Sequence, residues 1–560
     1  MRTFALLAGL TAAVLALPSA ADTPAARPVV VAKNGMVVCV SPPAADVGLA
    51  VLKAGGNAVD AAVAVAFTMA VTWPEAGNVG GGGFMMVAAP GKEPTCVEYR
   101  ETAPAAATPD LFADGTVGPL DHKAAGVPGT VRGLALAHEK FGKLAWKDVV
   151  APAAALAADG FAVNAALAAS LNRVLADPAT TNAEFKRVYD KPGGGVWKPG
   201  DTLALPDLSK LLKAVAGAGP DAFYTGAHAD ALAAEMKAGG GLVTKADLAA
   251  YRAKERAAVR ATYRGYDVYG PPPPSGGGTC LAEMLNILEN FDLKKHGRWS
   301  PEVPHLMVEA MKRGYADRAR YLGDPDFVTI PDHLTTKEYA KKLAAGIDPK
   351  KSTPADTLAP DITLAPGGDS TTHFSIIDAG GMAVSNTYTL ENSYGNRVLV
   401  RGGGYILNNE MTDFNRKPGL TTRTGLIGTK ANVIAPGKRM LSSQTPTIVL
   451  RGGKPVLITG SPGGRTITNT VLCVVVNVID FDMPVVDAVA APRLHHQWFP
   501  DEVSFEGLNQ HPDLVAGLRA MGHKVTGRRQ GDAHSIGIDP KTGRYHGAAD
   551  PRIDGKAAGY

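Results

Sequence analysis

Cysteine is scarce in this chain: four in 560 residues, at Cys39, Cys96, Cys280 and Cys473. None stands in a C-x-x-C pair, which excludes the common zinc and dithiol motifs. Long apolar runs are few as well. Residues 58–71 are apolar, but Asp60 interrupts them and they fall short of the roughly 20 residues of a membrane-spanning helix. They read as a buried, alanine-rich helix. No Lys/Arg run stands out and the net charge is only +4, so no nucleic-acid partner is expected. The glycines at 80–83 do not form a G-x-G-x-x-G loop between a strand and a helix, which excludes a dinucleotide fingerprint. His495 and His496 are adjacent, not spaced as ligands on one helix face, and no carboxylate–His motif completes a metal site. Ser461, in G-S-P-G-G, makes no G-x-S-x-G nucleophile elbow. No cofactor and no metal are expected.

What is present is the composition of a globular protein, 45% hydrophobic and 20% charged, with 64 Gly and 41 Pro to form turns. At the start, Met1-Arg2, an apolar run over 4–17 and the small residues Pro18-Ser19-Ala20-Ala21 read as a signal peptide, residues 1–21. The mature protein is then expected to be exported, periplasmic or extracellular, with no membrane span. Export permits a Cys39–Cys96 disulfide, and buried free thiols fit the sequence equally.

Residues 44–54 have helical spacing and end at Gly55-Gly56, and Asn57 suits the cap of the next helix. From about 130 to 350 the pattern is mainly helical. PPPPSGGG at 271–278 reads either as a connector or as a structured loop. Residues 352–370 are poor in core residues and rich in Pro, Gly, Ser and Asp, so a mobile segment is expected there. The character changes at Thr371. THFSIID and MAVSNTYTL read as two strands joined by a turn at 378–381. Further strand-like runs are PTIVL, PVLITG, SIGID and RYHGAAD, with helices at 467–480 and 512–521. A helix-rich middle followed by a sheet-rich final third is an α+β, layered pattern.

Thr371 begins a strand after the floppy segment. If the bond between Ser370 and Thr371 broke, Thr371 would carry a hydroxyl nucleophile and a free α-amine on one residue. Such an amine has a pKa of about 7.7–8.0 and is a usable base at neutral pH. With a hairpin loop centred on Gly380, position 371 lies across from Thr389, whose Cβ would be about 4.5–5.5 Å away. A slip of one residue would destroy this pairing.

The motif D-S-T-T-H-F-S resembles the processing site of the γ-glutamyltransferases, members of the N-terminal-nucleophile hydrolase superfamily. The resemblance runs through GGNAVDAAVA (55–64), GNVGGGGFM (77–85), RETAP (100–104), YLGDPDFV (321–328), LNNEMTDF (407–414), KRMLSSQTPTIV (438–449) and TGSPGGRTI (459–467) to the closing KAAGY. It implies a four-layer αββα fold built from two chains of one autocleaved precursor. The large subunit would be 22–370 and the small subunit 371–560, joined as a heterodimer. It implies that Thr371 is both the processing and the catalytic nucleophile, with Thr389 orienting it. The substrates would be glutathione and other γ-glutamyl compounds, with water, amino acids or dipeptides as acceptors.

For the substrate's α-carboxylate the resemblance implies Arg100, Ser442 and Ser443, and a guanidinium pairs well with a carboxylate. For the α-ammonium it implies Glu391, Glu410 and Asp413. Some relatives carry amides at the first two of these. Three acids around one ammonium exceed what charge balance needs, so one is expected to hold another donor or to have a raised pKa. Gly463 and Gly464 match the oxyanion-hole glycines. Residues 415–437 match a lid, in which Thr424 stands where some relatives have Tyr. A more open pocket is expected, with hydrolysis competing well against transfer. His373 shares a strand face with the nucleophile and is expected to be structural. The alternatives are a glutaryl or cephalosporin acylase of the same fold, which would not need the acids, and an unprocessed homologue that only binds γ-glutamyl compounds.

Overall fold

The computed structural model describes residues 24–359, 362, 365–366 and 372–560. The expected signal peptide, most of 360–371 and both residues of the expected cleavage site, Ser370 and Thr371, lie outside the described residues. Two seven-stranded sheets form the centre. In the first, the order is Lys556–Gly559, Gly35–Cys39, Thr372–Asp378, Ala383–Thr389, Gly82–Ala88, Thr95–Glu98 and Lys254–Ala257. In the second it is Val30–Ala32, Tyr545–Ala548, Ser535–Ile538, Lys454–Thr459, Thr447–Arg451, Tyr266–Gly270 and Val259–Tyr263. Every pairing within these two sheets is antiparallel.

Alternation along each strand decides what faces what. In Thr372–Asp378, Phe374 and Ile376 join a core shared with the helices Pro42–Lys53, Ala58–Thr72 and Trp146–Asp159. Ile377 faces the other way, into a smaller core with Ile448, Ile458 and Ile536 of the second sheet. The outer face of the second sheet packs on Gly277–Leu288, Glu302–Tyr321 and Ile467–Ile479. The result is helix, sheet, sheet, helix. At the hairpin the inter-sheet seam is polar: Ser385 Oγ donates to the Thr459 carbonyl at 2.8 Å, and Ser375 Oγ to that of His534 at 2.8 Å.

Asn57 caps Ala58–Thr72 through its side chain, and the whole helix is buried. All four cysteines are free and buried. Pro271–Gly278 is not a boundary: Gly276 N–H donates to the Ser442 carbonyl at 2.8 Å, and the next helix starts inside the segment. Three strands arise from the stretch read as mainly helical, Lys254–Ala257, Val259–Tyr263 and Tyr266–Gly270. Residues 352–359, expected to be mobile, are pinned. Ser352 N–H donates to the Met521 carbonyl at 2.7 Å, Thr353 N–H to Glu309 at 3.0 Å and Ala355 N–H to Asp501 at 2.9 Å, while Ala355 and Ala359 pack on Trp498. Composition alone hides such partners, because they come from distant segments.

Candidate active site

The hairpin sets the frame of the site. Thr372 pairs with Tyr388, His373 with Thr387 and Phe374 with Asn386. Thr389 is the last residue of its strand and is opposed on the other side by Gly82. Its backbone is fixed by Asn78, whose Nδ2 donates to the Thr389 carbonyl at 2.8 Å and whose Oδ1 accepts from Gly81 N–H at 2.9 Å. Gly81 is required here, since a Cβ would lie 2.0 Å from that same carbonyl oxygen. After Thr389 the chain turns through Glu391 with φ +76°, a conformation that costs a non-glycine residue energy. The turn brings Glu391 N–H to 2.8 Å from Thr389 Oγ1, to which it donates. Accepting there turns the hydroxyl's own proton away from Glu391.

Arg100, Thr389, Glu391, Asp413, Ser442, Ser443 and Gly464 line one pocket. They come from five separate stretches of sequence. Arg100 is not a surface residue; it is fully buried. Its Nη1 lies 2.6 Å from Glu410 and 3.6 Å from Glu101, its Nη2 pairs with Asp413, and its Nε donates to the Met440 carbonyl at 3.3 Å. Glu410 sits behind the pocket wall, and Asn408 Oδ1 accepts its N–H at 3.1 Å. Oxygens of Glu391, Glu410 and Asp413 lie within 4.8 Å of one another. The cation among them is Arg100.

Burial dominates the acid–base behaviour of this group. It raises Glu410 well above the ordinary carboxylate range, against the pull of Arg100 and with further elevation from Glu101 and Asp413. Burial likewise pushes Glu101 up to about 8, although Arg100 opposes it. The side-chain oxygens of both acids lack a well-aligned hydrogen-bond donor among the described residues. Glu101 was legible only as a neighbour of Arg100 in RETAP; nothing in the sequence announced its burial.

Gly463 has φ +128° and Gly464 φ +55°, so the turn needs glycine at the first of these above all. The helix Ile467–Ile479 follows within three residues. A second cavity opens on the other side of this turn, lined by Thr372, Asn392, Gly463, Arg529 and Asp532. Ser442 is held by its N–H, which donates to the Pro274 carbonyl at 2.8 Å, and Ser443 Oγ accepts from Arg318 at 2.8 Å. Neither Arg318 nor the structural Asn78 and Asn408 was singled out from sequence, because their value depends on what folds against them. His373 is buried, hydrogen-bonded to Thr387 and Ser375, and held neutral by burial and by His534. Of residues 415–437, expected to be a lid, Asn415, Ile427, Thr429 and Asn432 line the pocket, while Thr424 is exposed and contacts Thr422.

The family model "Gamma-glutamyltranspeptidase" matches residues 44–560. A glutathione hydrolase proenzyme of Escherichia coli is 46% identical over 97% of this chain and 96% of its own length. An acylase proenzyme, ACY 1 of a Pseudomonas strain, is 36% identical over 96% of both chains. Among solved structures, a cephalosporin acylase from Bacillus halodurans superposes with a TM-score of 0.84 at 28% identity, covering 98% of this chain and 99% of that one. A family match over residues 44–560 and likeness of this extent to whole relatives leave a single assignment: this chain belongs to the γ-glutamyltranspeptidase family.

Proposed function

We propose that the chain is the precursor of an exported γ-glutamyltransferase and glutathione hydrolase that activates itself by cutting before Thr371. The observation that carries the reading is the hairpin register. Thr372 opposes Tyr388, which is the register that the expected pairing of Thr389 with the nucleophile requires. In the processing step, Thr371 Oγ attacks the Ser370 carbonyl, the C–N bond gives way to an ester, and water hydrolyses it. This yields subunits 22–370 and 371–560 and frees the α-amine.

In turnover the amine takes the Thr371 hydroxyl proton as Oγ attacks the γ-amide carbonyl. Thr389, already accepting from Glu391 N–H, directs its own proton to Oγ and orients it. The oxyanion lies at the N–H groups of Gly463 and Gly464, a contribution of roughly 2.7–4 kcal/mol per donor. The ammonium formed on Thr371 then protonates the leaving amine, and the glutamyl ester remains. Water releases glutamate; an amino acid or dipeptide gives a new γ-glutamyl amide. Ser442, Ser443 and Arg100 meet the substrate's carboxylate. Asp413 and Glu391 meet its ammonium, and Glu410 holds Arg100 from behind.

The structural likeness to a cephalosporin acylase supports one competing reading, a glutaryl acylase. A glutaryl group has no ammonium, and it leaves the acids around Arg100 without a function. Denaturing electrophoresis with N-terminal sequencing, then assays of γ-glutamyl- and glutaryl-p-nitroanilide, test the proposal. Two fragments, the shorter beginning Thr-Thr-His-Phe, and preference for the γ-glutamyl substrate are expected. Thr371→Ala should give one uncut, inactive chain. An active chain that stays whole would overturn the mechanism.

A further inference from the structure

Arg318 lies in the last turn of the helix Glu302–Tyr321 and lines the same pocket as Arg100. It is 9% exposed. One Nη donates to Ser443 Oγ at 2.8 Å and approaches the Ser442 carbonyl at 3.4 Å. Its Nε is buried without a hydrogen-bond partner, and no carboxylate among the described residues pairs with it. Gly276 leaves the room it occupies, since a Cβ there would lie 3.1 Å from that Nε. Neighbouring cations on the helix are treated differently: Lys312 and Arg313 both pair with Glu309. In the pocket itself, each end of the Arg100 guanidinium already faces an acid, Glu410 or Asp413.

A buried guanidinium whose hydrogen bonds go only to neutral groups is expensive unless something completes it, and the acid that acts on it through space, Asp413, already pairs with Arg100. Burial and the nearby Arg465 both weaken the hold of Arg318 on its proton. What Arg318 lacks is an anion beside Ser442 and Ser443. The reading above sets the donor's α-carboxylate at those two serines. We propose that Arg318 is a second guanidinium for that carboxylate, pairing with it through the edge that has no protein partner and steadying Ser443 through the other. Arg100 shares its charge with the acid cluster, and Arg318 adds a second positive charge for the carboxylate.

The inference rests on the γ-glutamyl reading of the pocket. Hydrolysis of γ-glutamyl-p-nitroanilide by the processed wild-type enzyme establishes that reading separately. Three competitive inhibitors then isolate the contact: glutamate carries both groups, glutarate keeps the carboxylate without the ammonium, and 4-aminobutyrate keeps the ammonium without the carboxylate. In Arg318→Gln, the Ki of glutamate and of glutarate should rise roughly 10- to 100-fold, as expected for a lost hydrogen bond to a charged group. The Ki of 4-aminobutyrate should stay within about twofold, and Arg318→Lys should fall between. Equal weakening of all three ligands would mean a structural role and overturn the proposal, as would an unchanged Ki for glutamate. If Arg318→Gln fails to fold or process, Arg318→Lys decides alone: a selective rise for the two carboxylate ligands supports the inference, and a uniform rise or none rejects it.

Discussion

Two buried ion clusters in this molecule are made of the same residue types and behave in opposite ways. In the pocket, Arg100 stands among Glu101, Glu410 and Asp413. Near the far end of the chain, Arg493 and Arg552 stand between Asp550 and Glu506. The second cluster balances two cations against two acids. Its acids are also saturated with donors: Asp550 accepts from Ala533 N–H at 2.6 Å and Arg552 N–H at 2.8 Å, and Glu506 from Gln530 N–H at 2.7 Å. Burial acts to raise Asp550, yet Arg493 and Arg552 overcome it and hold the carboxyl down to about 2. In the pocket one cation faces three acids; Glu101 and Glu410 lack a well-aligned donor among the described residues, and for these two burial wins. A structural cluster is closed by the protein. A binding cluster keeps acids that hold their protons at neutral pH, and a ligand's ammonium can draw such an acid to ionise.

The contrast breaks most sharply by mutation. Asp550→Ala strips a buried partner from two arginines and should cost about 3–5 kcal/mol of stability, read as a fall in the urea midpoint or as failure to accumulate. Asp413→Ala should leave the midpoint nearly unchanged, because Arg100 keeps Glu410, while kcat/KM for γ-glutamyl-p-nitroanilide falls by roughly 100-fold, the scale of a lost charge-assisted bond. If both variants lose stability alike, the distinction between closed and open clusters is wrong.

A second break uses pH. Glu101 has a folded pKa raised to about 8 from 4.5, so the unfolded chain releases this proton first and stability should decline as pH rises between those values. Glu101→Gln should flatten that decline in urea titrations at pH 5, 7 and 8. Asp550 has the opposite sign. Its pKa is lowered from 3.8 to about 2, so its contribution, on the order of 2 kcal/mol, is present above 3.8 and lost as pH falls toward 2.

The smallest expected effect concerns the lid. Thr424 is exposed and hydrogen-bonds to Thr422, within the expected lid. Thr424→Tyr should raise the ratio of transfer to hydrolysis a few-fold with Gly-Gly as acceptor, by covering the ester. A ratio that is already high in the wild type at neutral pH would remove the reason for the prediction.

Much of this was legible because it is local. Asn57 as a cap, the glycine stop before it and the hairpin about Gly380 all follow from neighbours in sequence, and the register of Thr372 with Tyr388 agrees with them. The strands between Lys254 and Gly270 were not read from the sequence, although Val259–Tyr263 alternates apolar with polar; they are short, lie in a stretch of mainly helical pattern and are held by pairing with Thr95–Glu98 and Thr447–Arg451. Arg100 by itself suited a surface position beside Glu101; only the fold shows both side chains fully buried. The pinned 352–359 segment taught the same lesson, since Glu309, Asp501 and Met521 hold it from elsewhere.

The sequence by itself determined the hairpin, the caps and the chemical inventory, since turn geometry and side-chain type act over a few residues. Tertiary structure alone decided which inventory items meet, and in what charge state. Arg100, Arg318, Glu410 and Ser443 lie tens to hundreds of residues apart, and only the closing of two sheets brings them to one wall. Charge follows from that closure: removing water from Glu101 and Glu410 costs more than one shared guanidinium returns, whereas two arginines and a full set of N–H donors keep Asp550 ionised in an equally dry place.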